Sequence, residues 1–123
     1  MNDWNAGLMR HLGIRLVEVG TERVVAELDV DENLTTLGGA VHGGTLMALA
    51  DTAGAAGTAT AGLRTATLES KTNFFAAATG GTLRAESSAL HRGKRTHVWQ
   101  TRVTDATGRL LSLTIQTQMI LDK

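Results

Sequence analysis

The chain has 123 residues, 42% of them hydrophobic and 20% charged, with twelve basic side chains against twelve acidic ones. A chain of this length buries roughly two-thirds of the surface its unfolded form exposes, which is enough for one domain with a core of its own. The absence of cysteine excludes disulfides and thiolate metal sites, and a balanced charge with only four aromatic residues (Trp4, Phe74, Phe75, Trp99) argues against a nucleic-acid-binding surface.

No apolar run approaches the roughly 18 residues of a membrane span. The start Met1-Asn2-Asp3-Trp4 has neither the basic region nor the apolar core of a signal peptide, so no membrane partner is expected and the cytoplasm is the expected compartment. From Asn2 to Leu12, Trp4, Leu8, Met9 and Leu12 recur at helical intervals, predicting a short amphipathic helix. Ile14 to Val19 and Glu22 to Val30 then read as two strands of a hairpin joined at Gly20-Thr21, with Val24, Ala26, Leu28 and Val30 on one face.

After Asp31-Glu32-Asn33 a stretch rich in Thr and Gly leads into the one long predicted helix, from Gly43 to about Gly62, with Leu46, Leu49, Ala50, Ala53 and Gly57 at three- and four-residue intervals. Beyond Asp51 nearly every residue is Ala, Gly or Thr, which costs helix propensity but lets other backbone approach closely. Such a helix expects to be wrapped.

From Thr65 the period changes to two. Turn signals at Thr79-Gly80-Gly81, Arg92-Gly93-Lys94 and Asp105-Ala106-Thr107-Gly108 separate four runs read as consecutive antiparallel strands. Leu83, Ala85, Ser87 and Ala89 form the dry face of one; Leu111, Leu113 and Ile115 are expected to form that of another, against Ser112, Thr114 and Gln116. The sum is a single α+β domain over residues 1–123, a curved antiparallel sheet of five to six strands around one central helix.

Asp51 stands in the middle of the most apolar helix, where a carboxylate is costly and competes for local backbone groups. A functional carboxylate and one facing a wet seam fit the periodicity equally. Just before that helix, Ala40-Val41-His42-Gly43-Gly44 brings two glycines to a helix N-terminus, where exposed N–H groups favour developing negative charge. The amide of Gly43 or Gly44 could hold an oxyanion there; a plain loop entering a helix has the same sequence.

His42-Gly43-Gly44, six residues, then Asp51, following a strand pair and preceding four strands, resembles the hotdog-fold acyl-CoA thioesterases, in the branch of the phenylacetate-pathway and 4-hydroxybenzoyl-CoA thioesterases. The resemblance extends over Gly13-Ile14-Arg15-Leu16, Thr65-Ala66-Thr67-Leu68-Glu69 through Asn73-Phe74, and His91-Arg92-Gly93-Lys94-Arg95. It implies a catalytic set of Asp51 as nucleophile or general base, Gly43 as carbonyl-polarising amide, Thr67 positioning water or the carboxylate, and His42 orienting the thioester or serving as a structural histidine.

Where many relatives carry Asn six residues before the His, this chain has Thr36, with Asn33 three residues earlier, so either is a candidate contact to the thioester, as is Gly44. Arg92, Lys94 and Arg95 suit the phosphates of CoA, and equally suit a solvated turn. The family's usual Pro after the aromatic segment is missing from Phe74-Phe75-Ala76-Ala77-Ala78. No metal or redox cofactor is implied. The activity implied is hydrolysis of an aromatic or short- to medium-chain acyl-CoA; a non-catalytic acyl-CoA-binding module and a hydroxyacyl-thioester dehydratase are the alternatives.

Helix geometry adds an argument for assembly. Gly43 and Asp51 are eight residues apart, about 12 Å along one helix, whereas groups acting on one carbonyl must lie within about 3 to 4 Å of it. Two antiparallel helices about a two-fold axis would bring Asp51 of one chain to Gly43 of another, giving a homodimer with two interface sites. The resemblance agrees and extends the expectation to a homotetramer, a dimer of dimers.

Overall fold

The structure is a computed structural model describing residues 5–121. Helix α1 spans Gly7–Leu12, shorter than the periodicity predicts, and the Trp4 end of the expected helix lies outside the described residues. It closes on Gly13, whose left-handed φ of 78° lets its N–H bond back to Arg10. Strands β1 (Arg15–Val19) and β2 (Arg23–Asp29) form the expected hairpin, a short 3₁₀ turn covers Glu32–Leu34, and α2 runs Gly43–Thr60. Strands β3 (Thr65–Phe74), β4 (Thr82–Arg92), β5 (Thr96–Thr104) and β6 (Leu110–Ile120) complete one six-stranded sheet in the order β1-β2-β4-β5-β6-β3, each neighbouring pair antiparallel.

The last four strands are therefore not a simple meander. β3 pairs with β6 at the far edge, and β4 returns to the free side of β2. The connection explains it: seven residues separate Phe74 from Thr82, too many for a tight hairpin, and they are tied down on the way. Phe75 N–H donates to the Leu111 carbonyl and Val41 N–H to that of Ala78, so the segment passes the end of β6 and the entrance of α2 before β4 begins.

α2 lies across the sheet with Leu46, Leu49 and Ala53 buried against Val24, Ala26, Leu28, Leu83, Ala85 and Trp99, and Ala50 is buried as well. Its small residues are explained by close approach, as expected. The Trp99 ring occupies the space where a side chain at Gly57 would begin, and Gly54 abuts the Gln116 amide, which would lie 2.5 Å from a Cβ there.

Of the expected dry face of β6 only Leu111 is buried in the core; beyond it the face is inverted. Ser112, Thr114, Gln116 and Gln118 are wholly buried toward the helix, whereas Ile115 and Met119 are each 42% exposed on the convex side. Hydrogen bonds account for much of this: Thr72 bonds Thr114 at 2.7 Å and both glutamines are engaged below α2, while Ser87 and Thr101 of β4 and β5 extend the layer with a bond of 2.8 Å. Most of this layer is bonded, which makes its burial tolerable, although Ser112 Oγ and Gln116 Oε1 stay without a partner among the described residues.

The same layer holds His97. The Trp99 indole N–H can only donate, so it fixes the Thr58 hydroxyl as acceptor at 2.9 Å and leaves the hydroxyl proton for His97 Nδ1, also at 2.9 Å. Burial first, then the charges of Arg92 and His91, hold the His97 imidazole below its ordinary value of 6.5. The unfolded chain therefore takes the proton first, and this contribution to stability is complete above about pH 6.5 and lost as pH falls below it. Thermal melts should show a drop in Tm from about pH 7.5 to 5.5 that shrinks in His97→Gln. Equal slopes in the two proteins would contradict it.

Candidate active site

Asp51 sits half-buried at the middle of α2, where the helix meets edge strand β3. Thr67 Oγ1 of β3 donates to its Oδ1 at 2.7 Å. Gln116 Nε2, reaching up from β6, donates to the same Oδ1 at 3.0 Å and to the Asp51 main-chain carbonyl at 3.4 Å. Both side-chain donors thus converge on one oxygen, and Oδ2 has no hydrogen-bond partner among the described residues. The carboxylate also borders an open cavity of about 360 Å³, walled by Met9, Leu16, Ala55, Ala56 and Ala59 and edged by Thr52 and Thr65.

At the helix start, His42 is the N-cap: its Nδ1 accepts the Gly44 N–H at 2.8 Å, and its carbonyl accepts from Thr45 and Leu46. The capping uses up the Gly44 amide, and among the described residues it leaves Gly43 as the first-turn N–H with no acceptor. Gly43 borders a second cavity of about 370 Å³, with Val41, Leu46, Phe74, Phe75, Ala76 and Ala77. The Phe74 ring lies so close that a Cβ on Gly43 would be 3.1 Å from it.

The structure brings Asp51 and Thr67 together and keeps Gly43 apart, at the first position of α2, eight residues before Asp51. Asn33 and Thr36 are exposed in the loop before α2, where the Asn33 N–H bonds Asp31 and Thr36 Oγ1 accepts from Gly38. Neither bonds Asp51, whose donors are Thr67 and Gln116. Arg92, Lys94 and Arg95 are exposed at the β4–β5 turn. Through the pairs Arg92↔His97, His97↔Gln118 and Thr67↔Gln118 that turn lies on the same ladder row as Thr67, three strand spacings or about 14 Å away. Among the described residues no three His, Asp or Glu side chains cluster as metal ligands.

Gln116 and Gln118 are the site residues that sequence reading missed. The signal lay in residue type: alternate positions 112, 114, 116 and 118 carry small hydroxyls and amides without a charge. The solvated face of β4, by contrast, carries Arg84 and Glu86.

A family model described as thioesterase superfamily matches residues 38–112, from before the His42 cap through Asp51 and Thr67 into β6. The chain belongs to the thioesterase superfamily. This thioesterase is 34% identical over 110 residues to the 1,4-dihydroxy-2-naphthoyl-CoA hydrolase of Listeria monocytogenes, covering 87% of this chain and 89% of that protein. It is 31% identical over 105 residues to the proofreading thioesterase EntH of Cronobacter turicensis, covering 83% and 77%. Among solved structures, S. sahachiroi AziG superposes with a TM-score of 0.91 at 27% identity, covering 96% of this chain and 98% of that one. The fold is the hotdog fold and the protein is a thioester hydrolase. None of its described helices is long and apolar enough to cross a membrane.

Proposed function

We propose that this thioesterase hydrolyses aromatic or short- to medium-chain acyl-CoA, releasing the free acid and CoA, at two equivalent sites formed between two copies of the chain. The observation that carries the reading is that Asp51 and Gly43 border different cavities of one chain. A carboxylate with one uncommitted oxygen borders one cavity and an uncommitted backbone N–H borders the other, about 12 Å apart on the helix. Gly43 N–H polarises the thioester carbonyl, and Asp51 of the partner subunit attacks it or activates water.

Two features favour such a pairing. β3 is an edge strand whose outer side is free for another β3, and the open face of α2 around its first half carries Gly44, Ala48 and Thr52 beside Met47, low enough for a second helix to lie close. His42 serves by capping α2 and reserving the Gly43 amide; Thr36 and Asn33, placed in the loop that enters the helix, are offered to the thioester region. Arg92, Lys94 and Arg95 bind the CoA phosphates in this reading. On the convex side, the apolar row Leu113, Ile115 and Met119 with neighbouring Val98 supports the pairing of dimers into a tetramer.

Free-thiol release from a panel of aryl and aliphatic CoA esters tests the substrate class. The cavity beside Asp51 is taken as the acyl pocket, so Ala59→Leu should lower kcat/KM for bulky acyl groups by about tenfold or more while sparing the shortest. A uniform change across the panel would contradict that assignment. Equilibrium sedimentation should give a dimer or a tetramer; a fully active monomer would contradict the shared site.

A further inference from the structure

We infer that Gln116 and Gln118 are positioning residues for Asp51: they commit Oδ1 to the protein and leave Oδ2 as the oxygen that reacts. The inference rests on Asp51 being the group that attacks or activates water, and it adds which of its atoms does so and what holds that atom in place.

The hydrogen bonds beneath α2 have a single direction. Thr65 Oγ1, whose single proton is shared between Gln118 Oε1 and the Met119 carbonyl, each at 2.9 Å, faces the oxygen end of the Gln118 amide, and the Nε2 end points at Thr67. Gln118 Nε2 donates to Thr67 Oγ1 at 2.7 Å, so that oxygen is an acceptor on one side and its lone proton goes to Asp51 Oδ1, also at 2.7 Å. Gln116 Nε2 supplies a second proton to Oδ1 at 3.0 Å. The glutamine amides cannot take a proton from the carboxylate, and the Thr67 hydroxyl, already an acceptor, is oriented to give rather than receive.

A proton accepted by Asp51 from water therefore goes to Oδ2, which meets no donor among the described residues. The nucleophilic route, if taken, uses the same oxygen. Gln116 is placed at a cost: its Oε1 is buried without a partner, and the position opposite is Gly54, where a Cβ would stand 2.5 Å from that oxygen. An unpaired buried acceptor of this kind is unfavourable. Here the amide is held with its donor end, not its acceptor end, toward the carboxylate.

The test is a double-mutant cycle on the full-length protein, read as kcat, KM and Tm. Gln118→Leu and Thr67→Val should each lower kcat about tenfold or more with KM little changed. In the Thr67→Val background Gln118→Leu should then do almost nothing further, because its route to Asp51 is gone. Thr67→Ser should restore the rate. Gln116→Leu should lower kcat on its own and still lower it in Thr67→Val, since it reaches Oδ1 directly.

Equal kcat losses from Gln118→Leu in both backgrounds, or a fall in Tm with kcat preserved, would overturn the inference. Thr67 is exposed, so its variants remain informative if a buried glutamine variant fails to fold. Asp51→Asn separates the two levels. If it stays active, the parent reading fails; if it is inactive while the glutamine variants keep full kcat, only the positioning role fails.

Discussion

Asp51→Asn and Asp51→Ala should lower kcat by about 10²–10⁴ while the chain still folds and assembles. Asn keeps the volume and can still accept from Thr67 and Gln116 through its one oxygen, which leaves an NH₂ where the reacting oxygen stood. Ala removes both. The measurement is steady-state thiol release alongside a thermal melt, and near-normal turnover in either variant would refute the role given to this carboxylate. Single turnover in labelled water adds the route. General-base hydrolysis puts the water oxygen in the product acid, whereas an anhydride opened at the enzyme's own carbonyl leaves it on Asp51.

Gly57→Ala should destabilise the fold, against what helix propensity alone predicts. Exchanging a mid-helix Gly for Ala ordinarily favours the helix by about 1 kcal/mol. Here the new methyl would be driven into the fully buried Trp99 ring, which is bounded by the sheet below and fixed by its indole N–H on Thr58. Overpacking of this kind costs about 1–3 kcal/mol and occasionally more, and displacing the ring also strains the Thr58–His97 hydrogen bond. After the helix gain of about 1 kcal/mol is subtracted, a net loss of about 1–2 kcal/mol remains, which lowers Tm by roughly 3–10 °C in a domain of this size. A melt showing Tm unchanged or raised would mean the helix and Trp99 are not packed this way.

Much of this architecture is legible in the residues because local pattern and tertiary position agree. Leu46, Leu49, Ala50 and Ala53 mark the buried side of α2, and Leu83 and Ala85 mark that of β4, as the periodicity predicts. Gly43, His42 and Asp51 stand out from spacing and residue type. Periodicity fails where a long-range contact reverses its usual meaning. β6 turns its hydroxyls and amides inward because their partners are Asp51, Thr67 and Thr72, residues far away in the chain. The partner of β3 is likewise beyond local reading, since the seven-residue connection is anchored by Leu111 and Val41. His42 is ambiguous in sequence for a different reason: one imidazole can face a ligand or cap a helix, and only the 2.8 Å bond from Gly44 separates the two.

The shared site is tested most directly by subunit complementation. Gly43→Pro deletes the amide proton at the first helical position, where the backbone accepts proline because His42 is extended with ψ of 137°, and its Cβ, 3.1 Å from the half-exposed Phe74 ring, requires that ring to give by a few tenths of an ångström. Asp51→Asn and Gly43→Pro proteins, each inactive alone, are mixed and allowed to exchange subunits. Half the dimers then carry one chain of each kind and one of their two sites is intact, so activity should return to about one quarter of the wild-type level. A mixture that stays as inactive as its components, with exchange verified, would show that the carboxylate and the amide do not meet across two chains.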